Sequence, residues 1–353
     1  MIISRTPFRI SFFGGGTDYP AWYRQHGGSV VATTIDKYCY LTCRFLPPFF
    51  EHRIRVVYSK IENCHDVSEI QHPAVRETLR YLGLERGVEI HHDGDLPARS
   101  GMGSSSAFTV GLLHALHGLL GRMPNKRQLA AEAIVVEQER LRETVGSQDQ
   151  VLAAYGGFNH IHFPVDGEAV VRPVTVGRER LAALNDHLML CYSGTARTAS
   201  DVAETYVNDI DSRRRQLRLM AEMVDEALEI LSGGGDLTPF GKLLDEAWQA
   251  KRSLSPSVSN PDVEAIYAEA TEAGAVGGKL IGAGGGGFML LFVPPERQAA
   301  LRERLRRLLF VPFRFESSGS QIIFLDPEAE YPLEERTWAD RRGAGPPAGA
   351  PDA

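Results

Sequence analysis

Cysteine is scarce in this 353-residue sequence, which has four: Cys39, Cys43, Cys64 and Cys191. No two of them form a C-x-x-C pair, and a chain this long needs no disulfide staples. Free thiols in a reducing compartment are expected, with Cys39 and Cys43 as small apolar fillers of a strand. Long hydrophobic runs are missing as well; none approaches the roughly 18 residues that a membrane span requires. Residues 1–7 show no cationic stretch leading into an apolar one, so no secretory leader is expected and the protein is read as cytoplasmic. Positive charge is in deficit, with 38 Lys and Arg against 45 Asp and Glu and a formal net charge of −7. An acidic chain without a basic stripe is a poor candidate for holding nucleic acid by counterion release. The phosphate-loop pattern G-x-x-x-x-G-K-[ST] occurs nowhere, which excludes an ordinary P-loop enzyme.

What remains is a globular composition, 43% hydrophobic and 24% charged, at a length that suits about two domains. β-Branched and aromatic residues predict strands over 9–13, 29–35, 38–45 and 54–58, then a helix over 73–82 and a strand over 88–92. Helices are predicted over 104–120 and 126–143, the second capped by Asn125. Further strands fall near 155–164, 168–176 and 188–192. Helical regions are expected over 199–231, 239–252 and 261–274, followed by two strands between 280 and 293. A helix over 295–309 and strands near 313 and 322 complete the pattern. Strands grouped ahead of helices make an α+β mixture, not the βαβ alternation of a doubly wound nucleotide-binding fold. The boundary is placed near residue 175, giving units 1–175 and 176–335. A Gly/Pro/Ala-rich tail over 336–353 is expected to be disordered.

The 35 glycines have no G-X-Y period, and three clusters stand out. Gly14, Gly15 and Gly16 are followed by Thr17 and Asp18 at the end of the first strand. Glycines there permit a sharp turn and close approach to a ligand, and Asp18 suits hydrogen bonds to sugar hydroxyls. A plain glycine turn with Asp18 capping the next helix explains the segment equally well. The second cluster opens the long helix at 104 and includes Pro97, Arg99, Ser100, Gly101, Gly103, Ser104, Ser105 and Ser106. Free N–H groups and the positive dipole end make a helix N-terminus an anion site. One serine suffices for a cap; three serines and two glycines point to a phosphate. In the third cluster Gly282, Gly284 and Gly287 match G-x-G-x-x-G, but they run into another apolar strand rather than a helix, which excludes the dinucleotide reading. Five glycines in six residues exceed what a hairpin needs.

In order and spacing, these clusters over 5–18, 96–107 and 279–287 resemble the three motifs of the GHMP kinases, and the resemblance extends to about residue 325. Within that family the heptose 7-phosphate kinases are the most similar, on residues 5–18, His26-Gly27-Gly28 and Val258-Ser259-Asn260-Pro261. The resemblance implies a two-domain α+β fold, with an N-terminal unit like ribosomal protein S5 and a ferredoxin-like C-terminal unit. It implies ATP-dependent phosphorylation of the anomeric hydroxyl of a sugar phosphate, on the way to a nucleotide-activated heptose for surface polysaccharide. ATP and Mg²⁺ would be the cofactors, the triphosphate lying on the loop from Pro97 to Ser106. Ser105 and Glu137 would hold the metal, with Glu139 and Glu143 on the same segment as Glu137. Asp149 matches the catalytic carboxylate and Arg9 its partner toward the transferred phosphoryl group. Gly15, Gly16, Thr17 and Asp18 would face the sugar, with Gly284 and Gly285 in the turn closing over it. The implied partners are the sugar phosphate and ATP, without nucleic acid or membrane, in a monomer or homodimer.

Galactokinases carry Glu and His where Gly15 and Gly16 stand here, so galactose itself is disfavoured and room is left for a differently held sugar. A phosphate on that sugar calls for a second basic site. Arg24, Arg197, Lys251, Arg252 and Lys279 are the candidates, and arginine can pair with phosphate at two points. Arg197, in a small-residue loop after a strand, stands first; one of Lys251 and Arg252 is read as a solvated helix end. An L-fucokinase-like or other sugar 1-kinase, a mevalonate-pathway kinase and a catalytically silent sugar-binding regulator are the alternatives.

Overall fold

The structure, a computed structural model, describes residues 1–47, 49–194, 199–207 and 210–327. Two sheets organise it. In the first, β1 (Ile2–Phe13) pairs antiparallel with β2 (Gly28–Phe45). The two strands expected over 29–35 and 38–45 are in fact this one strand of 18 residues. Asp36 and Lys37 supply no Gly or Pro to end it, and the register against β1 shifts between Pro7 and Arg9 instead. Such an irregularity accommodates Pro7, which has no N–H to give a ladder. Beyond this point β2 divides its other edge. Its C-terminal part pairs with β5 (Val88–Gly94), which carries β3 (Ile54–Val57) and β4 (Ile61–Cys64) outward. Its N-terminal part pairs with β6 (Phe158–Phe163), followed by β7 (Val170–Pro173).

The helix α3 (Ser104–Leu119) packs across β1 and β2, with α4 (Lys126–Ile134) and α5 (Gln148–Tyr155) against it. Ala107, Phe108, Val110, Leu112, Leu113 and Leu116 are all buried, so this helix is apolar around its circumference and belongs inside the layer. The helix expected over 126–143 changes character: α4 passes at Val135–Arg140 into a π-helical turn, a wider winding often found at functional sites. α5 was not anticipated, because eight residues are too few to show a period.

The second sheet has the antiparallel order β11-β8-β10-β9, from β8 (Leu188–Tyr192), β9 (Gly277–Leu280), β10 (Phe288–Phe292) and β11 (Leu309–Val311). Two long helices, α8 (Arg214–Ser232) and α9 (Thr238–Arg252), pack together; α9 also covers β9, and both reach β1. Phe12 of β1 stacks on Phe158 at 5.4 Å and meets Phe240 of α9 edge-on at 5.5 Å. One apolar core therefore runs through both sheets. Residues 315–325, counted with the second unit from sequence, return to the first sheet: β12 (Phe315–Glu316) pairs with β2 and β13 (Gln321–Leu325) with β1. Among the described residues no helix is long and apolar enough to cross a membrane. All four cysteines are buried and free.

Candidate active site

β1 delivers Arg9 just beyond its register shift, and α5 delivers Asp149 in its first turn. Arg9 Nε donates to Asp149 Oδ1 at 2.7 Å and Nη2 donates to Oδ2 at 2.6 Å. Nη1 donates to the carbonyl of Gly101, so the guanidinium is fixed between the carboxylate and the loop that opens α3. That loop is shaped by left-handed backbone at Arg99, Gly101 and Gly103. Gly103 occupies the cap position without a side-chain acceptor, which leaves the first N–H groups of α3 unpaired by any cap. A Cβ on Gly103 would come within 3.0 Å of Arg9 and 3.4 Å of Asp149 Oδ2, so the ion pair lies directly against the helix N-terminus. Pro97 and Arg99 are exposed on the loop, Ser104 is half-buried, and the buried Ser100 Oγ has no hydrogen-bond partner.

Glu137 sits in the π-helical turn, which points it inward to full burial. Of the two adjacent serines, the structure brings Ser106 rather than Ser105 against Glu137. Ser105 is exposed, whereas Ser106 Oγ donates to Glu137 Oε2 at 2.8 Å and Gln150 Nε2 donates to the same oxygen. Helical winding is the reason: Ser105 and Ser106 are about 100° apart on α3, and only the second faces α4. Burial pushes the Glu137 carboxyl up to about 7, against the lowering effect of the Ser106 hydrogen bond. Its Oε1 is buried without a partner. A buried carboxylate oxygen with no hydrogen-bond partner among the described residues, beside a hydroxyl, fits a hard cation such as Mg²⁺. Among the described residues no three His, Cys, Asp or Glu side chains cluster to hold a metal on their own. Any cation here would need oxygens from a ligand.

On the other side of Asp149, Asp18 is 1% exposed. Its Oδ1 accepts from Gly16 N at 2.9 Å and its Oδ2 from Gln148 N at 3.3 Å. Burial, and then the charge of Asp149, push its pKa upward. Gly146 makes this approach possible, since a Cβ there would lie 1.9 Å from Asp18 Oδ2. Thr17, expected to face the sugar, is fully buried. Its hydroxyl donates to the carbonyls of Gly14 and Ser29 and accepts from Ser29 N, so it braces the loop.

The third glycine cluster does not hang free over the site; it is pressed onto the α3 loop. A Cβ on Gly282 would lie 2.4 Å from Gly101 Cα, and one on Gly287 would lie 2.2 Å from Ser100 O. Gly284 abuts Val258, whose carbonyl accepts from Gly285 N at 2.9 Å, and Asn260 Nδ2 donates to Gly285 O at 3.1 Å. The family-like Val258–Pro261 segment thus holds the turn down.

Two lysines complete the site, and sequence reasoning underweighted both. Lys251 Nζ donates to the carbonyls of Leu280 and Gly282. Burial and the nearby Arg9 bring its pKa down to about 7, with Asp18 pulling the other way. Lys279 Nζ donates to Phe12 O at 2.7 Å and ties β9 to β1; burial, Lys251 and Arg9 lower its pKa. The signal for Lys251 was present: Leu244, Ala247, Trp248 and Lys251 recur at helical spacing on the buried face of α9. Arg252 is the solvated member of that pair, joined to Glu264 at 2.9 Å. Arg197 lies outside the described residues.

An α+β molecule with an arginine–aspartate pair under a helix N-terminus, closed from above by a glycine turn, has the layout of a small-molecule kinase. Residues 69–157 match the family model described as the GHMP kinases N terminal domain, and residues 213–309 match GHMP kinases C terminal. The D-glycero-alpha-D-manno-heptose 7-phosphate kinase of Campylobacter jejuni subsp. jejuni serotype O:2 is 28% identical over 329 residues, 87% of this chain and 93% of that one. A mevalonate kinase of Methanothermobacter thermautotrophicus is 30% identical over 261 residues, 69% of this chain and 81% of that one. Among solved structures, a D-glycero-D-manno-heptose 1-phosphate kinase from Bacteroides thetaiotaomicron superposes with a TM-score of 0.75 at 23% identity, over 93% of this chain and all of that one. The chain belongs to the GHMP kinases and has their two-domain fold. It is accordingly an ATP-dependent kinase.

Proposed function

We propose that this kinase phosphorylates the anomeric hydroxyl of D-glycero-D-manno-heptose 7-phosphate, giving the 1,7-bisphosphate, in the making of a nucleotide-activated heptose. The observation that carries the reading is Asp149, held at both oxygens by Arg9 between the α3 N-terminus and the buried Asp18. The similarity to a heptose 7-phosphate kinase along nearly the whole chain supports the choice of sugar. The proposed boundary between units lies near residue 175, with 315–325 counted to the first.

In this reading the loop residues Ser100, Gly101, Gly103 and Ser104 to Ser106 cradle the triphosphate of ATP with backbone N–H groups and hydroxyls. Glu137 and the Ser106 hydroxyl hold Mg²⁺, which would spread charge away from the phosphates when bound. Asp149 orients the anomeric hydroxyl and accepts its proton as the new P–O bond forms and the bond from the γ-phosphorus to the bridging oxygen breaks, releasing ADP. Arg9, freed of full charge pairing as that proton arrives, is placed to offset charge on the transferred group. Lys251 lies buried beside Arg9 and Asp18 on the same side. Gly15, Gly16 and Asp18 bound the sugar from the first unit, and Gly284 and Gly285 shape the turn above it. The 7-phosphate is assigned to Arg197 on its place in the chain after β8.

The test is ADP release with heptose 7-phosphate, L-fucose, galactose and mevalonate as acceptors. Preference for heptose 7-phosphate is the expected result. Preference for an unphosphorylated sugar would overturn the substrate and leave the sugar-kinase reading standing; sugar binding without turnover would mark a regulator.

A further inference from the structure

The two elements that make the Arg9–Asp149 pair bring a second polar pair together and leave it open. Ser11 lies two residues after Arg9 on β1, and alternation along a strand puts both on one face. Gln148 directly precedes Asp149 in the first turn of α5. Ser11 is 6% exposed and Gln148 8%. Ser11 Oγ and Gln148 Oε1 are nevertheless buried atoms with no hydrogen-bond partner. Both side chains converge on Gly15. A Cβ placed there would have Ser11 Oγ at 3.4 Å and Gln148 Nε2 at 3.6 Å, and among the described residues nothing else beyond its chain neighbours within 4 Å. The space directly above Gly15 is therefore bordered by two polar atoms.

Buried polar atoms are rarely left unpaired, because water lost on folding must be replaced by another partner. An unpartnered hydroxyl facing this space together with an amide N–H donor, next to a catalytic carboxylate, is a site waiting for a ligand group. Gln148 N donates to Asp18 Oδ2, and Asp18 Oδ1 accepts from Gly16 N, so the backbone of Gln148 and the backbone next to Gly15 are tied to one carboxylate. Neither Ser11 nor Gln148 carries a charge, which suits a hydroxyl and not a carboxylate or phosphate.

We propose that Ser11 and Gln148 form a subsite over Gly15 for a ring hydroxyl of the sugar, beside the hydroxyl that Asp149 addresses. Gln148 Nε2 donates to the ring hydroxyl's oxygen, and Ser11 Oγ accepts that hydroxyl's hydrogen bond. This subsite sets which sugar is accepted, and it rests on the sugar-kinase reading above. Gly15 is what makes room for it, since any side chain there would fill the gap.

The experiment compares Ser11→Ala, Gln148→Met and Gly15→Ala with the unaltered chain, using the sugar of the four-acceptor panel that the latter turns over fastest. Gly15 is outside the left-handed region, so alanine there fills the gap without backbone strain. Each change is expected to raise the KM for the sugar at least about tenfold while the KM for ATP stays within about twofold. Melting temperatures are expected to hold or rise, because unpaired polar atoms are removed or covered. Ser11→Ala and Gln148→Met are also expected to lose discrimination between that sugar and its deoxy analogues. A sugar-active parent whose three variants keep their sugar KM within twofold overturns the subsite alone, and would mean the gap holds water. A parent that prefers mevalonate, or neither binds nor turns over any sugar, overturns the proposed function and the subsite together.

Discussion

Arg9 and Asp149 form a two-point ion pair at 2.7 and 2.6 Å although 140 positions separate them in the chain. The arginine is itself anchored on Gly101 O, so three segments meet at one guanidinium: β1, the loop before α3, and α5. Charge-assisted, bidentate pairing of this kind fixes direction as well as distance. It aims the carboxylate at the space in front of the α3 N-terminus.

Replacing Asp149 by Asn keeps the shape of the side chain and removes its capacity to take a proton. The expected result is a kcat lower by at least about 10²-fold with ATP affinity nearly intact. Calorimetric titration with ATP and steady-state turnover separate the two quantities. Turnover like that of the parent would remove Asp149 from the catalytic role.

Ser106 and Ser105 make a contrasting pair. Ser106→Ala takes away the hydroxyl beside Glu137 and is expected to raise the Mg²⁺ concentration for half-maximal activity by about tenfold. Ser105→Ala, at an exposed position, is expected to shift it by no more than about twofold. A Mg²⁺ titration at saturating ATP and sugar reads both, and the reverse order would restore Ser105 as the ligand.

Gly282→Ala would place a methyl group 2.4 Å from Gly101 Cα, at a glycine with φ of +83°. Both contact and backbone conformation oppose the change, so the turn must lift from the α3 loop. A lower melting temperature and a KM for ATP raised about tenfold or more are expected. Gly234→Ala, where nothing lies within 4 Å of the added carbon, serves as the control and is expected to change neither.

Lys251 gives a pH signature. Its folded pKa is lowered to about 7 from the ordinary 10.5, so in this range the unfolded chain binds a proton that the folded one does not. The Lys251 contribution is therefore most favourable above the unfolded value and is lost as pH falls toward 7. Relative to Lys251→Met, the parent is expected to gain roughly 2–3 kcal/mol of stability between pH 7 and pH 9. Arg9, Asp18 and Lys279 face this amine and remain in both proteins, so the difference reads Lys251 together with its effect on Lys279. Denaturant unfolding of the two proteins at each pH measures it, and a difference that does not change with pH would place the amine in its ordinary charged state.

Much of this molecule was legible from residue order. The three glycine clusters marked the loop after β1, the start of α3 and the turn between β9 and β10, because glycine is placed where a chain must bend sharply or be approached closely. Arg9, Asp18, Glu137 and Asp149 match residues of the GHMP kinases; Arg9, Asp149 and Glu137 meet the first turn of α3, and Asp18 holds the backbone of Gln148 beside Asp149. The π-helical turn at Val135–Arg140 and the short α5 were not legible, since a wider winding and an eight-residue helix leave too little periodicity to read.

Local pattern thus established most of the elements and apolar faces, which depend on neighbours a few residues apart, and the order of three motifs along the chain pointed to the family. Which of two adjacent serines meets Glu137, that Lys251 and Lys279 are buried beside Arg9, and that Ser11 and Gln148 share the gap over Gly15 were settled by folding. Those relations join residues up to hundreds of positions apart, and they depend on register, helix rotation and the angle at which two sheets pack. A shift of one residue along a strand turns a side chain to the opposite face, and composition and spacing alone do not contain that choice.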